Sequence, residues 1–405
     1  MSGSTICILG GSSPFTAGLV DSLLPVAARF SGPTLWLHGR SADNLAIVAR
    51  YAEHQLGRYG WQVRQSTSMN QALEAADIVI HQIRYGGLDG RADGEQLSHK
   101  LGILADETLG PAALLTAIRT IPDLSGTCQR IVESCPNAWV LNLTNPLSAI
   151  TSAMIQFGVQ KCVGLCELPM ETQQTALRFF DDALEDVSWT YAGLNHRGFI
   201  DTLQTGQRNL LDELPDRMGE QTIGGIRASE IHTLNAIPLK YFRLVHEPPS
   251  PETGRANFLS SLRDQVLAEL KTSCEISPPS MQRRYMEWYP KSVVPMLSSL
   301  CCNDPGTHVV NIVGEDGIVV EAKAAVQGGA VRPMLHKSAN PNVSQWNATF
   351  EQHERSFVRA MLEPSPTNIQ TALVHDPLTP DAIAAKATTA LSTAIVRSDP
   401  PTHTS

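Results

Sequence analysis

Thr5-Ile6-Cys7-Ile8-Leu9-Gly10-Gly11-Ser12-Ser13 is the stretch that decides how this chain folds. Five apolar or β-branched residues run into a glycine turn, and Thr16 to Leu24 then carries the periodicity of an amphipathic helix. A strand, a tight turn and a helix N-terminus in that order put backbone N–H groups and the positive end of a helix dipole where a pyrophosphate can sit. The turn departs from strict Gly-x-Gly-x-x-Gly spacing, so its meaning depends on the elements downstream of it. A second strand over Thr34 to His38, a helix over Met69 to Ala75 and a third strand over Ala76 to Ile80 come next. Further strands are expected at Trp139 to Leu143, Val163 to Leu165 and Trp189 to Leu194. The alternation predicts an α/β fold built on a doubly wound parallel sheet.

Beyond about residue 200 the pattern loosens. Helices are expected at Arg227 to Asn235, Ala256 to Leu270, Ser292 to Cys301, Gln345 to Met361 and Pro380 to Val396. Pro248, Pro249 and Pro251 mark a loop, and Thr307 to Val313 with Ile318 to Ala322 read as a hairpin. The expected organisation is a nucleotide-binding unit over 1–197, a second, largely helical α/β unit for substrate and oligomerisation over 198–397, and a frayed tail over 398–405.

With 405 residues, 42% hydrophobic and 18% charged, the chain can bury a large core. Its formal charge of -9 argues against nucleic acid or an acidic membrane as partner, and no apolar run reaches the length of a membrane span. A cytoplasmic protein is expected. The eight cysteines lack the spacing of a disulfide framework, and Cys301 and Cys302 read as packing residues.

Candidate chemistry lies at the strand ends. Cys166 and His196 each follow a strand-like run, so they could meet at one crevice and hold a divalent metal with Glu167 beside it; otherwise they are a buried thiol, a hydrogen-bonded imidazole and a surface carboxylate. Arg84-Tyr85-Gly86-Gly87-Leu88-Asp89-Gly90-Arg91 reads as a glycine-rich loop whose arginines suit phosphate or carboxylate, unless they face solvent. Asp106 and Glu107 precede a helix over Ala112 to Thr120, and Asn145 closes the fourth strand facing the crevice. Arg40 and Ser41 stand where an NAD site usually carries an acid; they could receive the 2′-phosphate of NADP, or Arg40 could stack on adenine or point to solvent.

Taken together, Gly10-Gly11-Ser12-Ser13, Arg84 to Arg91, Glu107-Thr108-Leu109-Gly110-Pro111, Asn142-Leu143-Thr144-Asn145-Pro146, the cysteine and histidine motifs and His308-Val309-Val310-Asn311 resemble glycoside hydrolase family 4. These are NAD- and metal-dependent glycosidases that include 6-phospho-α-glucosidases and 6-phospho-β-glucosidases. The resemblance implies a Rossmann-like domain with a second α/β domain closing over the substrate, and homodimers or homotetramers. It makes Cys166 and His196 ligands of Mn2+ or another divalent metal, and Asn145 a substrate contact together with Glu107, Arg91 and Arg284. The implied chemistry is not two-carboxylate hydrolysis. Nicotinamide takes hydride from sugar C3, the metal polarises the new carbonyl, a tyrosine removes the C2 proton, the leaving group departs from C1, water adds and hydride returns.

Tyr241 is the expected base, and Lys240 and Arg243 could lower the cost of its phenolate. Glu167 stands where the α-glucosidase branch has an aspartate proposed to protonate the leaving oxygen, so the resemblance leans to an α-glycoside. The chain departs from the family at Ser12, at the missing acid after the second strand, and at Arg284-Tyr285-Met286 and Pro290 in place of Arg-Gly-Gly and a serine. Arg91, Arg284 and Ser13 could still form a phosphate pocket, and a non-phosphorylated sugar is the alternative. The same nucleotide domain would also serve an NAD(P)-dependent sugar dehydrogenase or a catalytically silent sugar or nucleotide sensor.

Overall fold

The computed structural model describes residues 3–180, 184–246, 251, 253–302 and 304–396. The tail expected over 398–405, and Pro248 and Pro249 of the expected loop, lie outside the described residues. The chain opens with β1 (Thr5–Leu9), α1 (Thr16–Leu23), β2 (Thr34–His38), α2 (Ala42–Gly57), β3 (Gln62–Ser66), α3 (Met69–Leu73) and β4 (Ile78–His81). Then come α4 (Gly87–Leu101), α5 (Gly110–Ser134), β5 (Trp139–Asn142), α6 (Leu147–Gln156), β6 (Cys162–Leu165) and α7 (Leu168–Leu177). Six strands run parallel in the order β3-β2-β1-β4-β5-β6. This is the doubly wound Rossmann arrangement, and its order reverses at β1, between β2 and β4, where such sheets bind ligands.

Both faces of the sheet are covered, and the strands show it residue by residue. Ile6 and Ile8 of β1 join one core, while Cys7 and Leu9 join the other; Ile78 and Ile80 of β4 separate from Val79 in the same way. Side chains alternate across a strand, so a run that is apolar at every position is buried on both sides. The first core receives α1, α2 and helix Arg255–Thr272; the second receives α5, α6 and the C-terminal helices Pro341–Leu362, Pro366–His375 and Asp381–Val396.

Four expectations change. Gln62–Ser66 is an edge strand whose polar sequence follows from its exposure. Arg84 to Arg91 is a loop only as far as Gly86: α4 starts at Gly87, delimited by Gly86 and Gly102, both in the left-handed region. Trp189 to Leu194 lies in β7 (Val187–Leu194), which does not extend the parallel sheet; it pairs antiparallel with β8 (Arg197–Thr205) in a separate sheet that also holds Ile237–Pro238. The hairpin assigned to the second unit, Gly306–Val313 with Val319–Gln327, instead extends the first sheet: it lies antiparallel against β6, and Ala330–Met334 follows at the edge. A third core, centred on Phe199, Ile200, Leu210 and Phe350, packs the β7–β8 sheet.

Candidate active site

At the nucleotide end, Gly10 and Gly11 shape the cradle rather than donate to it. Both amides bond to the carbonyl of His38, at 3.1 and 2.7 Å, tying β1 to β2. Gly10 has φ +94°, and a Cβ on Gly11 would sit 3.1 Å from the Leu37 Cα, so neither position accommodates a side chain. Among the described residues the amides of Ser12 and Phe15 have no acceptor, which leaves them, with the Ser13 hydroxyl, as donors for an anion. Gly39 makes room for the Ser12 side chain: a Cβ there would meet Ser12 Oγ at 2.3 Å. Ser41 caps α2 by accepting from the Asn44 amide at 3.3 Å, and Arg40 is exposed beside it. The segment has room for a dinucleotide: its glycine contacts leave the loop close to β2, and the cap leaves Arg40 exposed past the end of β2.

The end of β6 and the β7–β8 hairpin share one apolar core, with Cys166 and Leu194 both in it. His196 sits in the two-residue turn with φ +63°, its Nδ1 2.8 Å from Thr108 Oγ1, and its ring stacks on Tyr241 with centroids 4.1 Å apart and planes 12° apart. Nε2 is thereby left for another partner. Burial, with Lys240 and Arg197 nearby, pushes the imidazole down to about 3, so it stays neutral as a ligand requires. Cys166 is buried at the end of β6; burial and the charges of Glu167 and Glu321 hold its thiol well up. Among the described residues no group of three or more His, Cys, Asp or Glu is arranged to hold a metal. A cation would take Cys166 and His196 from this chain and complete its shell from substrate or water; the imidazole is already neutral, and the cation's own charge would offset the burial that holds the thiol protonated.

Tyr241 closes the cluster. Burial raises its phenol well above the ordinary value, and Asp106, Cys166, Glu107 and Glu167 reinforce this. Lys240 brings its ammonium 5.9 Å from the Tyr241 ring, whereas Arg243 packs against Gly225. Glu167 is 8% exposed; burial raises its carboxyl, and Lys240 and Tyr285 pull it back in part. A carboxyl held up in this way can keep a proton to donate.

The wall between the two regions is charged and paired. Burial pushes the Glu107 carboxyl up, but Arg84 and Arg91 outweigh it and hold the group down at about 2. Arg91 also bonds Glu95 at 2.9 Å, so it is a structural cation as well as a wall of the recess that Asn145 and Asp106 line. Arg284 has no carboxylate partner among the described residues. Its guanidinium lies 4.0 Å from the Phe15 ring centre and 5.6 Å from that of Trp288, and burial lowers it to about 10.

Sequence reasoning misses Thr108, Asn195 and Glu321. Burial pushes Glu321 up to about 7. Its signal is a lone acid in the apolar run Ile318 to Ala322, at a position of the strand that faces inward.

The fold and this cluster define a Rossmann-type α/β protein with a thiol, an imidazole and a phenol gathered at the carboxyl ends of its strands. A model of the family 4 glycosyl hydrolases matches residues 5–180, and one of the family 4 glycosyl hydrolase C-terminal domain matches residues 191–379. The chain belongs to family 4 of the glycosyl hydrolases and is a glycoside hydrolase. It is 27% identical to the "Probable 6-phospho-beta-glucosidase" of Bacillus subtilis, over 95% of this chain and 94% of that one. In fold it is similar to a 6-phospho-alpha-glucosidase from gut microorganisms, solved with NAD and Mn2+, at a TM-score of 0.83 and 19% identity, covering 97% of each chain. It is likewise similar to the 6-phospho-beta glucosidase of Thermotoga maritima, solved with manganese, NAD+ and glucose-6-phosphate, at a TM-score of 0.84 and 23% identity, covering 96% and 97%.

Proposed function

We propose that this hydrolase cleaves a 6-phosphorylated glycoside, of α configuration, using NAD or NADP and a divalent cation such as Mn2+. The observation that carries the reading is the stack of Tyr241 on His196: it sets a proton acceptor beside a proposed ligand, within reach of the charges of Cys166 and Glu167. A bound nicotinamide would supply reversible oxidation at sugar C3, and a cation held by Cys166 and His196 would supply Lewis acidity beside it. Everything else falls to the chain. Tyr241 accepts the proton at C2, which the oxidised C3 makes acidic, and the C1–oxygen bond breaks. Glu167, whose carboxyl burial raises, gives its proton to the departing oxygen. Water adds at C1.

Ser12, Ser13 and Phe15 hold the pyrophosphate, Gly10 and Gly11 shape the turn, and Arg40 with Ser41 meets the adenosine ribose. Asn145 and the Glu107–Arg84–Arg91 wall contact the sugar, and Arg284 takes the phosphate. Residues 1–197 thus serve the nucleotide, while 198–397 supply Tyr241 and Arg284. The same reading makes the protein a cytoplasmic homodimer or homotetramer; no described helix is long and apolar enough to cross a membrane.

Turnover in deuterated water tests the mechanism. Deuterium should enter C2 of the released sugar, because the C2 proton is exchanged; direct displacement at C1 leaves C2 untouched, and unlabelled product would refute the reading. p-Nitrophenyl α- and β-glycosides, with and without the 6-phosphate, decide anomer and phosphate in the same assay.

A further inference from the structure

Glu321 is 1% exposed and takes no part in the chemistry above. It lies on strand Val319–Gln327 of the nine-stranded sheet, yet its side chain bonds into the β7–β8 hairpin of the other sheet. A buried carboxylate is costly unless its oxygens are hydrogen-bonded, and three donors meet this one. The Tyr191 hydroxyl donates to Oε2 at 2.6 Å; Asn195 Nδ2 and Asn311 Nδ2 donate to Oε1 at 3.1 and 2.9 Å.

Asn195 gives this hub a function. It precedes His196 in the turn, and Asn311, the other asparagine on Oε1, pairs with Gly164 of β6, two residues before Cys166. Glu321 thus holds the neighbour of one proposed ligand and, through Asn311, the strand that lies against β6, whose end carries the other. We infer that Glu321 is a positioning residue that fixes the spacing of Cys166 and His196 for a divalent cation through its bond to Asn195. Partners of this kind set the orientation of the groups that bind a metal directly. The inference rests on the proposal that Cys166 and His196 hold the cation.

The test is a Co2+ titration of metal-stripped protein, followed by sulfur-to-cobalt charge-transfer absorption, which reads Cys166 ligation without turnover. Glu321→Ala should weaken Co2+ binding by roughly 10- to 100-fold, with nucleotide affinity unchanged. Glu321→Gln keeps Oε1 as acceptor for both asparagines and offers its amide to the Tyr191 hydroxyl, so it should bind Co2+ as the wild type does. Tyr191→Phe removes only the Oε2 partner; it should lower the melting temperature and leave Co2+ affinity intact. Wild-type Co2+ affinity in Glu321→Ala overturns the inference, and so does a loss in Tyr191→Phe as large as in Glu321→Ala, since affinity would then follow stability alone. If Glu321→Ala does not fold, Asn195→Ala takes its place with the same expectation. A wild type without the absorption band, or Cys166→Ser with wild-type affinity, overturns the metal proposal itself and this inference with it.

Discussion

Tyr241 concentrates the residue-scale problem. Four acidic groups surround its buried phenol, so its ionisation is disfavoured unless positive charge is added nearby. Lys240 is the chain's own contribution, and a cation at Cys166 and His196 would invert the local sign. Tyr241→Phe keeps the ring stacked on His196 and deletes only the proton acceptor. Turnover should fall roughly 10²- to 10⁴-fold with the melting temperature unchanged, and initial rates beside a thermal melt check both. Arg40 makes a separate commitment at the other end of the cleft. Its charge is exposed and unmatched by an acid on β2, so NADP should bind at least as well as NAD. Arg40→Ala should weaken NADP by about 10- to 100-fold, the worth of a charged hydrogen bond, and spare NAD. Fluorescence titration of both nucleotides decides it; an NAD preference that survives the substitution sinks the assignment.

At the scale of elements, the site depends on a hairpin turn held from two sides. Glu321 grips Asn195, while Arg197, the first residue of β8, reaches into helix Pro341–Leu362 and bonds Glu354 Oε2 at 2.5 Å and His353 Nδ1 at 2.8 Å. The side chains of Arg197 and Glu354 are 2% and 3% exposed. Removing one member of such a pair leaves the other charge buried and alone, at a cost of about 3–5 kcal/mol. Glu354→Ala should therefore unfold at markedly lower urea concentration, with Glu354→Gln between it and the wild type; equal midpoints in all three would show the pair to be passive. None of this is visible in the sequence, because Arg197 and Glu354 are 157 positions apart and carry no pattern that links them. Helix α4 is hidden for a different reason: its glycines imitate a loop, and its support, such as Arg91 on Glu95, shows only once the helix exists.

Over the whole molecule, buried ionisable groups set the response to pH. His81, fully buried on β4 between Asn142 and Tyr85, is pushed by burial down to about 4. Its folded value lies below the unfolded value of about 6.5, so in that window the unfolded chain binds the extra proton and stability falls as pH falls. The loss attributable to this one group is at most about 3 kcal/mol between roughly pH 6.5 and 4. Asp106 and Glu321, raised to about 6 and about 7, act with the opposite sign: they stabilise at low pH and lose that contribution as pH rises through those values. Comparing wild type with His81→Gln isolates the histidine. The variant's stability should fall less steeply over that interval, and parallel curves would show that His81 does not govern acid sensitivity. At this scale the division between sequence and structure is also plain. The parallel sheet and the candidates Cys166, Glu167 and His196 at strand ends could be read from local pattern, because strand periodicity and turn chemistry are properties of neighbouring residues. Tyr241 comes instead from the family resemblance, and strand Gln62–Ser66 and helix α4 are not read at all. Only the tertiary structure decided that β7 leaves the parallel sheet, that strand Gly306–Val313 returns to pair with β6, and that Glu321 and Thr108 reach the cluster. These placements come from contacts between residues far apart in the chain, where burial and hydrogen-bond satisfaction choose the partner.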